Sequence, residues 1–244
     1  MEPATPVATL AAVAKDVGTA APVAVLELFT SEGCSSCPAA DESLALLTEE
    51  AARKAERVFT LELHVDYWNY LGWVDPFSDH MHSVRQSAYA AKFGASGMYT
   101  PQLVVNGSEE LVGSNASGSR AAIARALQVR ARARVSLDAR RTDDGVVVTY
   151  QVVAAGPVML QLALADDSDE TRVMRGENAE RLLKHRHVVR ALKAVKLVPP
   201  ASGSWTFPEP VSKMYKALFV AGYATDPSTL AVLGADARDL PALK

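Results

Sequence analysis

Only two cysteines occur in 244 residues, and they stand three positions apart as Cys34-Ser35-Ser36-Cys37. A bridge between them closes a loop too short to restrict much unfolded chain, so a stapled scaffold is excluded and the pair is chemical in purpose. No run approaches the roughly 18 to 20 apolar residues that a membrane helix needs, so no membrane span is expected. An excess of one charge is also missing. The formal net charge is −3 with Lys and Arg spread along the chain, which argues against nucleic acid or an anionic membrane as the main partner. The short basic run Arg130, Arg132 and Arg134 alternates with alanine and reads as a solvated helix end. Met1-Glu2-Pro3-Ala4-Thr5 lacks the basic start and apolar block of a secretory signal, whereas an Ala-rich beginning such as Ala8 to Ala14 suits a mature terminus. Internal repeats and low-complexity tracts are absent from the sequence.

What is present begins with a buried-strand pattern. Val23-Ala24-Val25-Leu26-Glu27-Leu28-Phe29 is apolar and partly β-branched, and Thr30-Ser31-Glu32-Gly33 reads as the turn that ends it. The period then changes: Cys37, Leu44, Leu47 and Ala51 fall near helical spacing, with Pro38 in the first turn where proline is tolerated. A second strand follows at 58–65, so strand, helix and strand imply a parallel pair with a right-handed crossover. An aromatic loop, Asp66-Tyr67-Trp68-Asn69-Tyr70-Leu71-Gly72-Trp73, leads to a helix over about 78–93, with Met81, Val84, Ala88 and Phe93 as its apolar residues and Gly94 and Gly97 stopping it. Gln102-Leu103-Val104-Val105-Asn106-Gly107 reads as a strand entering a hairpin, because Asn-Gly favours that turn. Glu110-Leu111-Val112-Gly113 is the return strand and 119–132 a closing helix. This order suits a central sheet with helices on both faces.

Beyond about Arg134 the pattern alternates between apolar and polar, with strands expected at 135–139, 146–152, 158–165, 187–197, 213–222 and 230–233. The expected fold is therefore an α/β thioredoxin-like domain over 1–133, followed by a mostly β, sandwich-like domain over 134–244.

The Cys-x-x-Cys pair lies between a strand and the first turn of a helix, where unpaired N–H groups and a partial positive charge favour a thiolate. Cys34 is then the more acidic, attacking thiol and Cys37 the resolving one, with both sulfurs expected to be accessible together. There is no second cysteine pair for a four-thiolate zinc site. Thr100-Pro101 introduces a strand where this fold usually carries a cis-proline beside the dithiol; the alternative is an ordinary trans proline at a strand start. Glu27 is either a buried acid that moves the resolving thiol's proton or a paired or edge carboxylate. Glu32 reads as an exposed turn residue. His64 and Asp66 end the second strand at the edge where the dithiol also belongs. Tyr67, Trp68, Tyr70 and Trp73 form either an apolar wall for a peptide or a packed cap. Arg175, Glu177, His187 and Arg190 look like an internal charge network.

The stretches from Leu26 to Asp41, His64-Val65-Asp66-Tyr67-Trp68, Tyr99-Thr100-Pro101-Gln102 and Val104 with Asn106-Gly107 resemble the bacterial family known as domain of unknown function 1223. Arg175-Gly176-Glu177-Asn178 and His187-Val188-Val189-Arg190 resemble its second half. The resemblance covers nearly the whole chain. It implies a thioredoxin-like fold followed by a β-rich region and, because members are commonly exported, a periplasmic or secreted location. It supplies no activity.

The function expected from the residues is thiol–disulfide exchange with protein thiols or disulfides, carried by Cys34, Cys37 and Pro101, supported by Thr100, Glu27, His64, Asp66 and Trp68, and needing no cofactor. The alternatives are copper(I) binding or delivery through Cys34, Cys37 and His64, or a non-catalytic binding protein that uses the aromatic loop or the β region. Oligomeric state is not legible in the residues.

Overall fold

The computed structural model describes residues 20–208 and 216–243. The Ala-rich beginning and the first part of the strand expected at 213–222 lie outside the described residues.

Strand β1 (Ala24–Thr30) is buried along its whole length because it is covered on both faces and paired on both edges. It runs parallel to β2 (Val58–His64) and antiparallel to β3 (Gln102–Val105), which pairs with β4 (Glu109–Val112). Helix α1 (Pro38–Lys54) crosses from β1 to β2, starting at a proline and ending where Ala55 takes a left-handed backbone. It packs Ala40, Leu44, Leu47 and Ala51 onto Leu26, Leu28 and Leu103, together with Ala122 and Ile123 of α3 (Ala116–Ala126). Helix α2 (His80–Phe93) lies on the opposite face, with Tyr89 against Phe29 and Val104. Helices thus flank both faces of the sheet, as expected.

Two expected details differ. Helix α2 starts at His80 because the Asp79 side chain caps it by accepting the Met81 N–H at 2.7 Å. Its inward face is also polar. Met81, Val84 and Ala88 are exposed, while Ser83, Gln86 and Tyr89 are buried, because Ser83 and Gln86 bond to Asp66 and Gln102.

The second half supplies β5 (Ala133–Thr142), β6 (Gly145–Ala154), β7 (Val158–Arg172), β8 (Leu182–Leu197), β9 (Ala201–Phe207), β10 (Leu218–Thr225) and β11 (Val232–Leu240). Strand β9 has no counterpart among the expected strands. Strands β5, β6 and β9 form a three-stranded sheet whose Val148, Val152 and Phe207 pack on Leu160, Leu164 and Val220 of β7 and β10. The other layer of this sandwich is not a separate sheet. The order β11-β10-β7-β8-β2-β1-β3-β4 is one eight-stranded sheet that continues across residue 134. The seam is a parallel contact between β2 and β8, registered at Glu62 opposite Val188. Among the described residues no helix is long and apolar enough to cross a membrane.

Candidate functional site: a disulfide above a buried histidine–carboxylate cluster

Cys34 and Cys37 are joined in a disulfide at the start of α1, with their Cα atoms 5.4 Å apart. The turn is held by the Cys37 N–H on the Cys34 carbonyl, and the helix opens with the Ala40 and Asp41 N–H groups on the Cys37 carbonyl. Thr100-Pro101 is a cis peptide bond. Pro101 stands beside the first turn of α1: a Cβ placed on Gly113 would lie 3.0 Å from Ala40 Cβ and 3.4 Å from Pro101 Cβ. Trp68 joins the two loops, with its Cβ against Gly33 and its indole N–H donating to Thr100 Oγ1 at 2.7 Å.

The expected accessibility of the sulfurs is corrected. Cys34 is 1% exposed and Cys37 fully buried, and only Ser35 and Ser36 of the motif face outward. The segment between β7 and β8 is bonded to this loop. Asn178 Nδ2 donates to the carbonyls of Glu32 and Cys34, and the Glu177 carboxylate accepts the Ser35 N–H at 3.0 Å. Arg175 and Glu177 are exposed, so the expected internal network is replaced there by a surface segment that reaches the dithiol loop.

Glu32 is also corrected. It is fully buried, accepting from the Trp73 indole at 2.8 Å and facing His185 Nε2 at 3.2 Å. It belongs to a cluster of charged side chains beneath the disulfide loop. His64 Nδ1 lies 2.8 Å from Asp75 Oδ2, which also accepts the Glu32 N–H. Asp41 Oδ1 accepts from Thr30 at 2.6 Å. Glu62 Oε1 accepts the Arg186 N–H at 3.1 Å, while Glu62 Oε2 faces His185 Nδ1 at 3.2 Å and His64 Nε2 at 3.7 Å. The His64 and His185 rings meet edge to face, 4.7 Å between centroids, and Phe77 closes the apolar side of both.

Burial works against a charged ring at both histidines, but the carboxylates outweigh it. Asp75 and Glu62 hold His64 at about 9, and Glu32, Glu62 and Asp41 hold His185 at about 11. Asp41 moves the other way: burial and the nearby Glu62 charge raise it to about 7. Glu62 and Asp75, which burial alone would raise, are kept low by the histidines that face them.

The remaining candidates are dispersed. Glu27 projects with Val25 and Phe29 from the face of β1 opposite α1, and is bound by Arg85, Tyr89 and Tyr223. It is therefore the paired structural carboxylate rather than a proton relay beside Cys37. Burial would raise its pKa, yet the Arg85 guanidinium keeps it below the usual carboxylate range. Asp66 accepts from Ser83 and lies 3.0 Å from His80 Nδ1, outside the cluster. Of the aromatic loop, Tyr67, Trp68 and Trp73 are tied down by hydrogen bonds to Gln86, Thr100 and Glu32, while Tyr70 is 80% exposed. His187 stacks on Phe219 and bonds to Thr60, and Arg190 faces Asp166 at 3.8 Å. Cys34, Cys37 and His64 do not form one donor set: the sulfurs are bonded to each other, and both nitrogens of His64 face carboxylates.

Asp41, Glu62, Asp75 and His185 were not singled out from the sequence. One signal was available. In Leu61-Glu62-Leu63-His64 the polar residues fall two apart, so the face of β2 toward α1 turns from Val58 and Thr60 to two ionisable groups. Such a face within a buried strand marks a polar site.

The chain resembles a structural-genomics crystal structure of a protein from Agrobacterium tumefaciens, with 28% identity and a TM-score of 0.64, covering 89% of this chain and 94% of that one. A Bacteroides uniformis β-glucuronidase aligns over 45% of this chain and 13% of its own, at 10% identity and a TM-score of 0.22, a likeness too slight to bear on fold or activity. No curated protein matches. The described family, "Protein of unknown function (DUF1223)", matches residues 25–221. With that match spanning both halves, from β1 into β10, the chain belongs to the DUF1223 family.

Proposed function

We propose that the protein is a thiol–disulfide redox protein that exchanges electrons with cysteines of extracytoplasmic proteins, and that residues 23–133 act as a thioredoxin-like unit. The observation that carries this reading is the Cys34–Cys37 bridge at the start of α1, with Pro101 standing by the first turn of that helix. The helix start stabilises a thiolate left on Cys34. A disulfide also fits an oxidising compartment.

The exchange balances as follows. A substrate thiolate attacks Sγ of Cys34, the Cys34–Cys37 bond breaks, and the electron pair leaves on Cys37 as a thiolate. A second substrate thiol, losing its proton, attacks the mixed disulfide and leaves Cys34 as a thiolate. The substrate becomes a disulfide while the protein takes up two electrons, and protonation of both thiolates completes the dithiol. The reverse sequence reduces a substrate disulfide. Because Cys34 is buried, both directions require the loop to open, and the bonds of Glu177 to Ser35 and of Asn178 to Cys34 are among those that hold it shut.

Equilibration with glutathione buffers, read by thiol alkylation, is expected to give one two-electron transition that Cys34→Ser removes. Reduction of insulin, or refolding of a scrambled substrate, then gives the direction. A couple that fails to exchange with glutathione or any protein substrate would sink the proposal.

A further inference from the structure

The geometry points to a buried binding site for one divalent transition-metal ion, zinc in chemical type, formed by His64 Nε2, His185 Nδ1 and Glu62 Oε2, with Asp41 Oδ2 at its margin. This goes beyond the redox reading and does not depend on it.

Three observations carry the site. First, these donor atoms of Glu62, His64 and His185 lie within 4.8 Å of one another, and all three residues are buried. Second, each is a buried polar atom without a hydrogen-bond partner, although such atoms are normally satisfied. Glu62 Oε2 stands 3.2 Å from His185 Nδ1 and 3.7 Å from His64 Nε2, an ion-pair contact with each and a hydrogen bond with neither. Two ligands about 2.0–2.1 Å from one tetrahedral ion are about 3.3–3.4 Å apart, a separation that these two distances bracket. Third, the opposite side of every ligand is fixed. His64 Nδ1 is held by Asp75, His185 Nε2 by Glu32, and Glu62 Oε1 by the Arg186 N–H. A carboxylate behind each histidine fixes the ring and leaves its other nitrogen aimed inward, as metal-bound histidines require.

Charge supports the same reading. Glu32, Asp41, Glu62 and Asp75 bring four carboxylates into a buried space around the two histidines, and a bound divalent ion would take over the positive charge that the ring protons supply there, releasing those protons as it binds. Nitrogen and oxygen donors with no sulfur suit zinc and neighbouring divalent ions rather than copper(I). Asp41 Oδ2, 3.9 Å from His185 Nδ1, is placed to complete the set, and a surface groove along α1 and the start of β8 reaches Asp41 beside Pro38 and Leu183. The ligands come from β2, β8 and α1, so the ion would pin the seam where β2 and β8 meet at Glu62 and Val188.

The test is metal analysis of the full chain purified without chelators, followed by titration of chelator-stripped protein with zinc chloride and with cobalt(II). Expected are about one ion per chain, a rise in thermal midpoint on adding zinc, and a tetrahedral cobalt(II) spectrum with no sulfur-to-cobalt charge-transfer band. His185→Gln and Glu62→Gln should abolish stoichiometric binding, and Asp75→Asn should weaken it roughly 10- to 100-fold. The Cys34→Ser, Cys37→Ser double variant should keep the metal, so loss of thiol exchange and loss of metal are read separately. Absence of zinc and cobalt binding by the stripped wild-type chain at micromolar concentration overturns the site. So does a sulfur charge-transfer band, a reading that needs no variant to fold.

Discussion

The side-chain amide of Asn178 donates to the carbonyl of Cys34 at 2.9 Å, across 144 positions of sequence. A residue of the β-rich half thereby holds down Cys34 of the α/β half. Its second contact, to the Glu32 carbonyl at 2.8 Å, fixes the strand end that carries the buried cluster.

Asn178→Ala leaves both carbonyls buried without that donor, at a cost of about 1–3 kcal/mol. The variant should unfold at lower urea concentration. If the segment is the cover over the dithiol, its disulfide should also be reduced faster by a small reductant, measured by trapping free thiols. A reduction rate equal to that of the wild type would show that Asn178 braces the loop without shielding it.

The pair on the other face of β1 gives a pH-dependent prediction. Glu27 is fully buried between Arg85, Tyr89 and Tyr223, and its folded pKa lies below the ordinary 4.5. Between the folded and unfolded values the unfolded chain binds a proton that the folded chain refuses. The contribution of Glu27 is therefore complete above pH 4.5 and is lost as pH falls through the folded value. Arg85→Met should cost about 3–5 kcal/mol at neutral pH because it strands a buried carboxylate. Adding Glu27→Gln should recover much of that loss and flatten the acid limb of urea midpoint against pH. An unchanged acid limb would place the titration elsewhere.

Much of the fold is legible in the sequence because local rules set it. Pro38 starts α1, Gly94 with φ +65° ends α2, and Asn106 with Gly107 turns the β3–β4 hairpin. The inward face of α2 was misread because its buried side chains, Ser83 and Gln86, serve polar groups on the loop and sheet rather than an apolar core. The site was half legible: the cysteines are adjacent in sequence, whereas His185 meets Glu62 only because β8 docks beside β2. That long-range pairing has no local signal. The bonds that residues 177 and 178 bring to the Cys34 loop were invisible for the same reason.

Gly107 separates the two kinds of information. Its φ of +58° belongs to the hairpin turn, but a Cβ there would also strike the carbonyl of Leu230, in the loop before β11. Gly107→Ala should cost about 1–2 kcal/mol from the left-handed backbone alone, and more because a backbone carbonyl must shift. Asn106→Ala loses the side-chain oxygen that accepts the Val25 N–H and the amide that donates to the Val23 carbonyl, but meets no such obstacle. Thermal unfolding of both variants should show Gly107→Ala losing more than its backbone term, and equality with that term would mean the 226–231 loop yields freely.

The three tryptophans provide an internal reporter of the redox couple. Trp68 abuts Gly33, next to Cys34, and Trp73 donates to Glu32, whereas Trp205 lies in β9 under the Lys193 ammonium, 4.1 Å from its ring centroid. Breaking the disulfide releases the turn at Cys34, so the surroundings of Trp68 and Trp73 change while those of Trp205 do not. Reduction should alter the intrinsic fluorescence of the wild type and of Trp205→Phe by the same amount. In Trp68→Phe with Trp73→Phe the change should vanish, although thiol labelling still reports two free cysteines. A fluorescence change that survives the double replacement would mean reduction reaches the small sheet, and so loosens the core shared by β6, β7 and β10 rather than the loop alone.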